Sequence, residues 1–254
     1  MTDPGAGADP PLLTLAVGNT TLAAALFPAT GTPRPLVWRR GGELVPLLAD
    51  LLESWTGPRP RRAAAVTVRP EAWPEAEGHL AGLGLELLLA GRELDPGVAL
   101  DYDPPAAAGL DRVVAARAAA ERYGSALVVD AGTAVTVDLV EPGPRFRGGT
   151  IAPGAGIMAA ALTRECSLLP PVPPPGPLPV PPPRTTADAM RLGVYLGFAG
   201  LVDRLVEAML GAAGRELPIL ATGGGAELWR EHSRFASILE PHLVHLGLAA
   251  MAGS

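Results

Sequence analysis

The chain has 254 residues, 48% of them hydrophobic, enough for one large core or two linked ones, and two half-sized lobes is the expected arrangement. Its formal net charge of -6, from 26 acidic against 20 basic residues with no basic block, argues against nucleic acid as a partner. Every basic residue is Arg, so the Lys that a P-loop kinase motif requires is absent. The single cysteine, Cys166, excludes an internal disulfide, and His79, His232, His242 and His245 lack metal-ligand spacing. No signal peptide or long apolar span is evident, so the expectation is a soluble cytoplasmic protein without a membrane partner.

Residues 1–11 are rich in Pro, Gly and Asp and read as a disordered tail. A lobe over 12–124 and a second over 125–254 then follow. From Leu12 an apolar strand, a turn at Gly18-Asn19-Thr20 and a second strand form a hairpin pattern, with a third strand at 35–40. Leu44, Leu47, Leu48, Leu51 and Leu52 share one face of a helix over 43–55, and a strand returns at 61–68. A helix over 75–83, a short strand at 85–90 and a loop from 95 to 109 precede an Ala-rich helix from about Leu110 to Tyr123, stopped by Gly124.

A strand pair spans 126–140. Thr150-Ile151-Ala152 is a further candidate strand before a helix over 156–164. Residues 170–183 hold ten prolines in fourteen positions, which excludes a helix or inner strand and reads as an extended, solvated loop without chemistry of its own. A long helix over 186–210, an apolar strand at 218–225 entering a triple-glycine turn, a short helix, a strand near 236–239 and a terminal apolar helix complete the chain.

Chemistry concentrates in VVDAGTAVTVD, residues 128–138, where a strand ends in Asp130, turns through Gly132 and Thr133 and starts a second strand. Glycine lets backbone approach a ligand, outward turn amides suit phosphate oxygens, and a carboxylate can hold the accompanying cation. A plain structural hairpin reads the same way. Residues 15–20 (LAVGNT) can be laid on 129–134 (VDAGTA) with Gly18 on Gly132, as expected if two lobes share one topology. Asp130 then falls opposite Ala16.

LAVGNTT, DAGTAVTVD and ATGGG stand in the order of phosphate hairpin, second phosphate hairpin and adenosine loop. The chain resembles type III pantothenate kinases, within the superfamily of sugar kinases, actin and heat-shock ATPases. The likeness runs from Leu12 through LDYDPP (100–105), GLDR (109–112), DAGTAVTVD (130–138), GGTIAPGAGI (148–157), TTADAMRLG (185–193) and ATGGG (221–225). It implies an α/β fold of two ribonuclease H-like lobes, each a mixed sheet flanked by helices, in the actin-like ATPase arrangement. It also implies ATP-dependent phosphorylation of pantothenate, the first step of coenzyme A synthesis, with Mg2+ and a monovalent cation, K+ or NH4+, by a homodimer.

By the same resemblance Asp111 is the base that takes the hydroxyl proton, and Arg112 holds the pantothenate carboxylate, a task suited to a forked guanidinium. Gly109 and Leu110 complete that motif. Tyr102 lines the pantothenate pocket and Thr186 reaches it from the second subunit. Asp130 is the cation ligand; Val17, Gly18, Asn19, Thr20, Gly132, Thr133, Gly223 and Gly224 surround ATP. Bland readings stand beside these: an Asp-Arg pair at a helix start also complements the helix dipole, Tyr102 could be a packed loop aromatic, and Thr186 could cap its helix.

One position departs from the family. Its first motif is normally Asp-x-Gly-Asn-Thr, and Ala16 stands where that Asp belongs. The alternative to an enzyme is therefore a non-catalytic or weakly active relative that binds nucleotide or pantothenate as a regulator. A sugar or acyl kinase of the same superfamily is disfavoured by the Asp-Tyr-Asp-Pro-Pro and Gly-Leu-Asp-Arg pieces.

Overall fold

A computed structural model describes residues 10–28 and 34–253. Apart from Pro10 and Pro11, the tail expected at 1–11 lies outside the described residues. Contacts divide the chain into two units: residues 1–122 with 143–145 and 242–254, and residues 123–142 with 146–241.

The first unit contains β1 (Leu12–Val17), β2 (Leu22–Phe27), β3 (Val37–Gly41), α1 (Leu44–Glu53), β4 (Arg62–Thr67), α2 (Trp73–Gly82), β5 (Glu86–Leu89), β6 (Ala99–Leu100) and α3 (Leu110–Tyr123) but for its last residue, and it takes in the C-terminal helix. Its five-stranded sheet runs β3-β2-β1-β4-β5. The hairpin β1–β2 and the pair β2–β3 are antiparallel; β1–β4 and β4–β5 are parallel. Alternation along β1 sends Leu13, Leu15 and Val17 to one face, where Leu47, Leu48 and Leu51 of α1 and Leu80 of α2 bury them. Each fully buried Leu of this kind contributes about 1.5–3 kcal/mol over the exposed state.

The second unit contains β7 (Ala126–Ala131), β8 (Ala134–Glu141), β9 (Arg145–Pro153), α4 (Ala155–Glu165), α5 (Thr186–Ala213), β10 (Ile219–Thr222), α6 (Ala226–His232) and β11 (Ile238–Leu239), apart from Arg145 at the start of β9, which belongs to the first. The five strands of this unit run β9-β8-β7-β10-β11 in a six-stranded sheet. The sequence order of those strands, third, second, first, fourth, fifth, is that of the first sheet. Again the first two strands are antiparallel while the first and fourth are parallel. Two ribonuclease H-like units of mixed sheet and helix, in the actin-like ATPase class, are therefore the architecture.

The hairpin superposition holds in register. Val17 and Ala131 each end the first strand, and Ala16 and Asp130 are the residues before them. The first hairpin carries four residues between the partners Val17 and Leu22, the second three between Ala131 and Val135. Two elements exceed the sequence expectation. β9 starts at Arg145, five residues before the Thr150 strand, and its burial alternates with Phe146 inward. β6 lies inside the stretch expected as loop, its Ala99 N–H donating to the Pro144 carbonyl at 2.9 Å. No helix among the described residues is long and apolar enough to cross a membrane.

Helix α7 (Leu243–Ala252) packs on the second face of the first sheet, where Leu248 and Met251 meet Ala64, Val66 and Ala16. Its His245 is 3% exposed and lies 2.9 Å from the Thr14 hydroxyl. That hydroxyl donates its one proton to the Ala25 carbonyl at 3.2 Å, so Nδ1 of a neutral His245 is the donor to Thr14. Burial, reinforced by nearby His242, pulls the His245 pKa down from 6.5 to about 3. The unfolded chain takes up this proton first, so the stability His245 contributes is full above pH 6.5 and is lost as pH falls towards 3, by up to about 1.4 kcal/mol per pH unit. Denaturant melts between pH 6.5 and 4 should show wild type losing stability more steeply than His245→Asn; parallel profiles would contradict this.

Candidate active site

Helix α3 opens with the Gly-Leu-Asp-Arg stretch, and its first turn gathers four of the expected substrate residues. Asp111 is partly buried, with Oδ1 accepting the Arg112 N–H at 2.9 Å. Burial raises its pKa above 3.8; that hydrogen bond and the Arg112 charge oppose the rise without overcoming it. Arg112 is 8% exposed and its guanidinium carbon sits 5.8 Å from the Tyr102 ring centroid, a cation–π contact. A Cβ at Gly109 would stand 2.9 Å from Asp111 Oδ1, so this position keeps the carboxylate's approach open. Leu110 turns away and packs with Ala90, Leu94 and Val114, seating the helix.

At the first hairpin Asn19 and Thr20 are exposed and the Gly18 N–H closes the turn on Thr21 O at 2.9 Å. In the second unit Asp130 sits at the end of β7, beside Thr222 of β10 and Thr136 of β8. Gly223 follows Thr222 with φ +85°, and a Cβ on it would collide with Asp130 Oδ1 and lie 2.7 Å from the Ala131 carbonyl carbon. The Gly225 N–H donates to Ala131 O at 2.7 Å, and the Gly132 N–H to Ala134 O at 3.0 Å. Asp130, Gly132, Thr133 and Gly223 thus meet at adjoining strand ends, the customary ligand edge of parallel strands.

Beside these ends is a cavity of about 500 Å3, within the range of small-molecule sites, whose lining includes Gly132, Gly224, Gly225, Phe198, Glu227 and Leu228. Helix α6 forms one wall. Asp203 of α5, 8% exposed, accepts hydrogen bonds from Trp229 Nε1 at 2.8 Å, Ser233 Oγ at 2.6 Å and Arg234 N at 2.9 Å. That buried carboxylate anchors α6 and the residues that follow it.

Several contributors escaped the sequence reading. Asp203 looks like an ordinary surface acid of a long helix. Asp138 ends a quoted motif but received no role; it is 2% exposed and accepts from Thr136 Oγ1 at 3.1 Å. No alternation signalled it, since β8 is buried on both faces from Val135 to Val140. The proline stretch is extended as expected, yet Pro175 and Gly176 line the cavity. Thr186 is exposed in the first turn of α5, and the cap is its neighbour Thr185, whose side chain accepts the Asp188 N–H at 3.1 Å.

Fold and strand-end geometry define the actin-like ATPase fold. Comparison with known sequences narrows this: the family model of type III pantothenate kinase matches residues 12–208, and the chain belongs to that family. A type III pantothenate kinase of Rhizorhabdus wittichii is 37% identical over 171 residues, 66% of each chain. One of Desulfatibacillum aliphaticivorans is 40% identical over 167 residues, 65% of each. The chain thus spans just under two thirds of the length of these curated relatives.

Solved structures agree on the fold alone. A protein of Campylobacter jejuni described as a Baf family transcriptional activator has TM-score 0.59 at 18% identity, covering 94% of this chain and 96% of that one. The activator of 2-hydroxyisocaproyl-CoA dehydratase from Clostridium difficile, with bound ADPNP, has TM-score 0.56 at 9% identity, covering 96% and 94%.

The collision at Gly223 gives a direct check. Gly223→Ala should lower stability by about 1–3 kcal/mol in denaturant melts, from both strained φ and lost room. Gly211→Ala, in open space on α5, should leave stability unchanged or raise it. Equal behaviour of the two would show that the close approach at Asp130 is dispensable.

Proposed function

We propose that the protein phosphorylates pantothenate at the expense of ATP, yielding 4'-phosphopantothenate at the start of coenzyme A synthesis. The observation that carries this reading is the packed Asp111, Arg112 and Tyr102 cluster, occurring in a chain of the type III pantothenate kinase family. Phosphoryl transfer asks mainly for positioning and charge neutralisation, plus a carboxylate within reach of the attacking hydroxyl. Asp111 is that base. Partial burial makes it more basic than a solvated aspartate. Arg112 holds the pantothenate carboxylate, Tyr102 lines the same pocket, and Thr186 extends to it from a partner subunit.

Gly18, Asn19 and Thr20, with Gly132 and Thr133, hold phosphates in this reading, and Gly223 and Gly224 lie against the nucleoside. Among the described residues no three His, Cys, Asp or Glu side chains gather as a metal site. Asp130 therefore supplies one carboxylate, which fits a cation completed by main-chain carbonyls, phosphate oxygens and water. Mg2+ and a monovalent ion, K+ or NH4+, would supply charge neutralisation of the phosphates. A homodimer is part of the same reading, and the cytoplasm is the compartment where such an enzyme meets ATP.

The test supplies pantothenate, ATP, Mg2+ and K+ or NH4+ and measures phosphopantothenate. Product is expected, with turnover falling as pH drops through an Asp111 pKa above 3.8, since the protonated carboxyl cannot accept the hydroxyl proton. Asp111→Asn should lower kcat by roughly 10²–10⁴ with the fold retained. Absence of product from the wild type, or full activity in Asp111→Asn, would overturn the assignment.

A further inference from the structure

We propose that the proline-rich segment is a built wall of the nucleoside compartment, which it lines together with α6 in the second unit; this rests on the nucleotide reading above. The cavity at the strand ends is lined by Pro175 and Gly176 together with Phe198, Glu227, Leu228 and Glu231. The segment does not lie loose over it. Tyr195 of α5, 4% exposed, donates its hydroxyl proton to the Pro173 carbonyl at 2.7 Å, two residues before the lining position. Prolines on both sides of that anchor fix φ near −65°, so the wall loses little freedom when a ligand arrives.

The chemistry of both walls selects the same part of the ligand. A proline carries no N–H, so Pro175 has no backbone donor to offer a phosphate oxygen, and its ring presents apolar C–H surface. Glu227 and Glu231 lie four residues apart on α6, about 6 Å along its axis, and their charges repel phosphate. Neither makes a hydrogen bond or ion pair among the described residues. Carboxylates of this kind accept from sugar hydroxyls, while Leu228, Phe198 and Pro175 suit the faces of a base. Gly132 and the start of α4, at Ala155 and Gly156, line the same cavity without a negative side chain, leaving phosphate to that end. The compartment therefore takes a ribonucleoside, not a phosphate chain.

Calorimetric binding of ATP, 2',3'-dideoxy-ATP and inorganic tripolyphosphate to the full chain tests this without requiring turnover. The double change Pro174→Gly with Pro175→Gly should weaken ATP roughly three- to tenfold and leave tripolyphosphate unchanged. Tyr195→Phe, which frees the anchor without touching the wall, should move ATP in the same direction. Glu227→Gln with Glu231→Gln should remove most of the preference for ATP over the dideoxy nucleotide, about tenfold in the wild type. Pro170→Gly with Pro171→Gly, away from the lining, serves as the control. ATP affinity within twofold of wild type in the first variant, an equal loss for tripolyphosphate, or an equal loss in the control would overturn the proposal. Selective loss of ATP in a protein that makes no phosphopantothenate would uphold the wall and sink the kinase reading; unselective loss in an active kinase would do the reverse.

Discussion

The close approach of β7 and β10 at their ends sets the geometry of the second unit. Asp130 and Thr222 are paired neighbours, Gly223 turns in the left-handed region against Asp130, and Gly225 is hydrogen-bonded to Ala131. A side chain at Gly223 would push these strand ends apart, because the atoms it meets include main chain that cannot swing away. The consequences spread from there. Helix α6 starts directly after this turn, its far end is held by the three hydrogen bonds to Asp203, and the cavity wall it forms is thereby fixed at both ends. A site that relies on backbone proximity gains from such rigidity, since little ordering remains to be done on binding.

The first unit makes its contribution by different means. Its acid lies at the first turn of a helix, where the dipole and a backbone N–H favour the charged form, while burial disfavours it. Burial wins, and a carboxylate so placed is a better proton acceptor than one in water. Arg112 on the other side is buried against an aromatic ring, which suits guanidinium more than the strongly hydrated ammonium of lysine. In a chain without lysine, a charge placed in a packed site must be of this weakly hydrated kind.

Much of the fold was legible because apolar periodicity and glycine punctuation agree along most of the chain. Leu44 to Leu52 marked a helical face, and the two hairpins announced a repeated topology. What stayed hidden has particular physical causes. Gly148 and Gly149 disguise the first half of β9, yet Gly149 is small because a Cβ there would collide with Asp138 and the Val137 carbonyl. The β6 strand is two residues long, too short for any alternation. Chain order alone could not say that α7 packs with the first sheet, since its apolar residues would suit either core. The Asp-Arg pair and the glycine turns of the site could be read as motifs, but Asp203, Glu227 and Pro175 acquire meaning only from what the folded chain sets beside them.

The departure at Ala16 is larger than one residue. In the second unit Asp130 has Thr222 and Thr136 as its strand partners, both able to hydrogen-bond. The corresponding partners of Ala16 are Val66 and Ala23, and Ala16 packs with Val66, Leu248 and Met251 in an apolar cluster. A carboxylate at 16 would need a cation or donors to offset its desolvation, and these neighbours supply none. The equivalent strand ends have thus diverged as sets, one apolar and one polar, so that the carboxylate at these paired hairpins lies on the second alone. With no acid at position 16, the close packing around Asp130 is set by the second unit's own strand partners and glycine turn.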